Sequence, residues 1–131
     1  MKLKWCDRTL SIGTHYFTLC TSEKLFKKAM KHLRIPKKSR PAFVSDWLSN
    51  GTVHFFDNTN DRQKSAVICI RGGNGRNRAE IYGLLVHEAM HLWREVRETL
   101  GEREPSSEFE AYAVQNIAQQ LFRELDRQTK A

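Results

Sequence analysis

Two long stretches of helical periodicity, one after the other in the C-terminal part of the chain, constrain the fold most. From about Asn77 to Thr99, apolar residues recur at Ile81, Leu84, Leu85, Leu92 and Val96, which stacks them along one side of a helix, and Gly101 follows as a natural stop. A second helix is expected to open near Pro105, Ser106 and Ser107, where a serine cap followed by Glu108 and Glu110 suits a positive helix N-terminus. It continues to about Arg127, with an apolar stripe of Ala111, Val114, Ala118, Leu121 and Leu125.

Upstream the periodicity shortens. His15 to Cys20 is an aromatic and β-branched run that suits a strand. Thr21 or Ser22 can cap a helix carrying Leu25, Ala29, Met30 and Leu33, which ends before Pro36. Ile35 to Asp46, with Pro36 and Pro41, reads as an irregular connection. Asn50-Gly51 signals a turn into a second strand, Thr52 to Phe56, and the polar Asp57 to Lys64 reads as a loop or an extended hairpin turn. Ser65 to Ile70 makes a third, well-buried strand. The run Arg71-Gly72-Gly73-Asn74-Gly75 lacks the lysine and serine or threonine of a phosphate-binding loop, so it reads as a turn only. The order β-α-β-β-α-α, strands early and helices late, predicts an α+β fold with a small, mostly antiparallel three-stranded sheet, one N-terminal helix and two long C-terminal ones.

Composition sets the class. At 131 residues, 40% hydrophobic and 28% charged, the chain reads as one globular domain covering 1–131. No run approaches the eighteen or so apolar residues of a membrane span, and no apolar segment follows the charged Met1 to Leu10 as in a secretory signal. Cys6, Cys20 and Cys69 are odd in number and widely spaced, so they read as reduced thiols and the expected location is the cytoplasm. The net charge of +7 is uneven: residues 1–65 carry 13 Lys and Arg against 5 Asp and Glu, and residues 66–131 carry 9 against 10. Lys24, Lys27, Lys28, Lys31, Arg34, Lys37, Lys38 and Arg40 form the peak. Such a field suits nucleic acid or another polyanion, and equally a solvated helix face followed by a basic loop.

The chemistry concentrates in His87-Glu88-Ala89-Met90-His91. Two histidines at i and i+4 lie one above the other on a helix, so both imidazoles can meet one Zn²⁺ without distorting the backbone. Glu88 is then placed beside a metal-bound water as general base, able to take its proton during attack on a carbonyl and pass it to the leaving amine. The residues within and around the motif (Leu85, Val86, Ala89, Met90, Leu92 and Trp93) are uncharged, as a buried metal helix requires. A third ligand is at hand in the carboxylates that open the next helix. His54, in a predicted strand beside Phe55 and Phe56, reads as a packed or edge residue, and His15 and His32 carry no ligand spacing; Trp5, Trp47 and Trp93 are expected to pack.

The pairing of His-Glu-x-x-His with a downstream Glu-x-x-Ala resembles the gluzincin class of metallopeptidases. It is closest to the CAAX-prenyl-type proteases and the repressor-cleaving peptidases of the ImmA/IrrE type, and the chain is similar to metallopeptidases encoded by phages and prophages. The resemblance covers about residues 50–125 and is specific only around the two motifs. It implies a minimal zincin-like domain and a zinc metalloprotease acting on protein or peptide, in the host cytoplasm for a phage-encoded chain. It also implies Glu108 as the third ligand and Ala111 as the small residue between helices, whereas the angle of the apolar stripe points to Glu110. Tyr112 stands where the family has an acidic or amide residue; its hydroxyl could serve a tetrahedral oxyanion, or the ring could pack. Ser65 to Ile70, were it a sheet edge above the metal helix, could bind an extended peptide by strand addition. Two readings of another class stand beside the enzyme: a nucleic-acid-associated protein with structural or regulatory zinc, and a phage factor that engages host proteins on a zincin fold without cutting.

Overall fold

The computed structural model describes residues 1–6, 14–45, 50–58, 63–71 and 77–129, with only the backbone of residues 58 and 63. It is an α+β fold in the expected element order. Strand β1 (His15–Cys20) leads into helix α1 (Glu23–His32), whose N-cap Ser22 accepts from the amide of Leu25. A single 3₁₀ turn, Lys37–Ser39, interrupts the connection to β2 (Gly51–Asn58) and β3 (Gln63–Ile70). Helices α2 (Arg78–Leu100) and α3 (Ser107–Thr129) follow. Asn77 caps α2 through its side chain, and Gly101 ends it in a left-handed conformation (φ 74°) that costs a residue with a Cβ about 1–2 kcal/mol.

The sheet is mixed, in the order β1-β3-β2. β1 runs parallel to β3, pairing His15 with Lys64 through Cys20 with Cys69, and β2 is antiparallel to it, pairing Gly51 with Ile70. This corrects two expectations. The pairing is not mostly antiparallel, and Ser65–Ile70 lies at the centre of the sheet rather than its edge; β1 and β2 are the outer strands, and β2 is the one beside α2 that borders the motif. Both strands also reach further into the polar Asp57–Lys64 stretch than its composition suggests, because an antiparallel pair satisfies its backbone whatever the side chains are. Trp47, Asp46 and the glycine-rich run after Arg71 lie outside the described residues.

Alternation on the strands sorts two cores. Phe17, Leu19, Ala66, Ile68 and Ile70 face Leu85, Leu92, Trp93, Ile117, Leu121 and Leu125 of the two long helices. Cys20, Val67 and Cys69, on the opposite face, meet Leu25, Phe26, Ala29 and Met30 of α1. The strand periodicity of two therefore gives three layers: α1, the sheet, and the α2–α3 pair. Burial pushes the thiol of Cys69 upward, further raised by its neighbour Cys20, and that of Cys6 up to about 12, so these two thiols are weak nucleophiles.

The α2–α3 pair is fixed by polar contacts along its length. Arg78 reaches Asp126 and Thr129, the Tyr82 hydroxyl donates to Asp126, and Trp93 Nε1 donates to Glu110 Oε2 at 2.8 Å. At the far end of α3, Gln128 donates to the carbonyl of Leu19 at 2.7 Å and accepts from the hydroxyl of Thr21, tying α3 to β1. No helix among the described residues is long and apolar enough to cross a membrane.

Candidate functional site

At ~100° per residue, His87, His91, Glu95 and Glu98 fall within an arc of about 80° on α2, while Leu85, Ala89, Leu92, Trp93 and Val96 occupy the opposite side. Packing respects that division. The second group is buried against the sheet and α3, and both histidines are exposed. Their Nε2 atoms stand 3.1 Å apart, with the rings nearly perpendicular. Two nitrogens bound to one tetrahedral zinc at 2.0–2.1 Å would be separated by about 3.3 Å, so the histidine pair fits that ion.

Glu88 turns from this face toward the sheet and is only 4% exposed. Burial raises its pKa, and the neighbouring His87 and His91 oppose that rise. Beside it the chain of β2 begins at Gly51, where a Cβ would meet Glu88 Oε1 at 3.2 Å, Leu84 Cδ1 at 3.3 Å and the carbonyl of Cys69 at 3.4 Å. Glycine here lets the edge strand pass close to the carboxylate. The three motif residues meet in an open cleft between α2 and β2, two contiguous depressions of about 440 and 480 Å³ that share Gly51, His87 and Glu88. Thr52, Val53 and Phe55 of β2 form one wall, and Arg94, Glu95 and Glu98 line the other. Thr52 is held by Ser45, whose amide donates to its hydroxyl at 2.9 Å.

The ligands expected from α3 are not part of this cleft. Glu110 faces α2, as the stripe angle suggested, but on the side opposite the histidines: it accepts from Trp93 and lies 3.6 Å from Arg97. Glu108 is exposed on the first turn of α3, and Ala111 is exposed rather than seated between helices. Among the described residues no third His, Cys, Asp or Glu joins the histidines in a group of three. Tyr112 is 65% exposed and does not line the cleft. The helix face bearing the motif is also less enclosed than its apolar residues imply, since Val86 and Met90 are 44% and 38% exposed.

Glu95 and Glu98 went unread, although their spacing of four and seven from His91 already places them on the histidine face. Gly51 reads from the sequence only as part of a turn, because sequence does not show which side chain a strand will pass. Of the other histidines, His54 packs as expected, its Nε2 bonding the carbonyl of Phe43 at 2.9 Å; His15 is buried against Phe55, and the exposed His32 lies against Trp5. The chain matches no known family model, no curated protein and no solved structure.

Proposed function

We propose that this chain is a zinc-dependent hydrolase of peptide bonds, with His87 and His91 as metal ligands and Glu88 as general base. One observation carries the reading: two imidazole nitrogens meet 3.1 Å apart, next to a buried carboxylate, in an open cleft beside an edge strand. Zinc held there would polarise a carbonyl and acidify a bound water. The protein supplies the rest. Glu88, shielded from solvent, is a better proton acceptor than an exposed carboxylate, and it can hold the proton until an amine leaves. β2 offers backbone groups along its outer edge to which an extended peptide can pair. The half-buried Glu95 and the exposed Glu98 favour cationic over anionic segments near the histidines, offset in part by Arg94.

The test joins metal content to turnover. Purified protein should contain one equivalent of zinc by elemental analysis, lost on His87→Ala. Glu88→Gln should keep the zinc and lose at least about 100-fold in hydrolysis of a mixed peptide library followed by mass spectrometry. Undiminished cleavage by Glu88→Gln would sink the base assignment, and undiminished zinc in His87→Ala and His91→Ala the metal assignment.

A further inference from the structure

A second depression lies on the opposite layer of the molecule, between α1 and the segment 37–43. It is about 480 Å³ in volume; Phe26, Met30 and Phe43 form its apolar floor, and Lys27, Lys37 and Arg40 its rim. The rings of Phe26 and Phe43 stand 5.9 Å apart, and His54 packs on Phe26 at 5.2 Å, so the floor is an aromatic cluster. The cations do not stop at the rim. Lys24, Lys28 and Lys31 continue along the exposed face of α1, and Arg34 and Lys38 extend the basic surface beyond it. Among the described residues the ion pairs are Lys64–Asp57, Arg78–Asp126, Arg97–Glu110 and Arg127–Glu124, so none of these eight cations is neutralised by a carboxylate. Glu23 is the acidic residue lining the groove.

We propose that this groove and the basic track around it bind single-stranded nucleic acid. A ligand confined to the groove would leave Lys24, Lys28 and Lys31 unused, whereas a polymer charged at every unit engages both. Fixed cations track a phosphate backbone, and an aromatic floor accepts a base only when that base is unpaired. Arg40 is anchored for this role, its Nε donating to the carbonyl of Ile35 at 2.9 Å. The inference does not depend on the histidine cleft, which lies across the sheet from α1.

Fluorescence anisotropy with a labelled twenty-residue oligothymidine tests it, with a twenty-base-pair duplex and a polyglutamate peptide as competitors. Contact with about four phosphates should weaken binding about 50-fold between 50 and 200 mM salt. Lys27→Glu/Lys37→Glu, both at exposed positions, should weaken it at least 10-fold with an unchanged circular dichroism spectrum. Phe43→Ala should weaken it while leaving the salt slope in place, and Glu88→Gln should bind as wild type. No binding at 50 mM salt would overturn the proposal. So would equal competition by the duplex, which marks a generic polyanion surface, or by polyglutamate, which marks a site for acidic peptide.

Discussion

Glu88 and Gly51 are 37 residues apart in sequence, yet each sets what the other can be. The carboxylate is buried because β2 passes over it, and β2 can pass because residue 51 has no side chain. Gly51→Ala places a methyl group 3.2 Å from Oε1, closer than a settled contact, with the carbonyl of Cys69 behind it leaving little room to retreat. Displacing a reacting group by a fraction of an ångström is costly in rate. Hydrolysis should therefore fall by roughly 10-fold in Gly51→Ala and further in Gly51→Val, with zinc content unchanged. Steady-state kinetics alongside elemental analysis checks this; loss of zinc together with activity would show that the strand supports the ligands instead.

The pairing of α2 with α3 decides what α3 can contribute. Trp93 is fully buried and its indole N–H is satisfied by Glu110, so Glu110→Ala should cost about 1–3 kcal/mol in urea unfolding. Glu110→Gln keeps an acceptor and loses only a half-exposed pair with Arg97, worth at most about 1 kcal/mol. Neither substitution should change zinc content; a drop in either would mean that α3 turns its carboxylates toward the histidines. Much at this scale was legible in the sequence. Ser22, Asn77 and Gly101 bound helices where capping chemistry says they should, and the element order follows from the change of period. The face of α3 was not legible. Its buried stripe includes Gln120, Glu124 and Gln128, which hydropathy reads as solvent-facing, so the true stripe is rotated by roughly 65° from the one drawn through Ala111, Val114, Ala118, Leu121 and Leu125. The same blindness hid the third-ligand problem: spacing shows which carboxylates are near in sequence, and only packing shows which side of α2 they meet. Strand order was equally hidden, since a parallel partner is chosen by the helix layers and not by the strand's own residues.

For the molecule as a whole, stability should follow pH through His15. Burial lowers its pKa to about 4, with Lys64 lowering it further and Asp57 opposing, against about 6.5 in an unfolded chain. The unfolded state then binds the proton more readily. The contribution is complete above about pH 6.5 and is lost as pH falls toward 4. After allowance for solvent screening it is on the order of 1–2 kcal/mol, read as a lower urea midpoint at pH 4.5 than at pH 7.5 that His15→Asn flattens. The tie between Gln128 and Leu19 has a wider consequence. The strand β1 is latched by a residue more than a hundred positions downstream, on the helix that, together with the sheet, closes the buried side of α2. A chain cut near residue 120 would hold all three motif residues and still lack Leu121, Leu125 and the Gln128 latch, so the histidine cleft is expected to depend on a segment that contributes nothing to its lining.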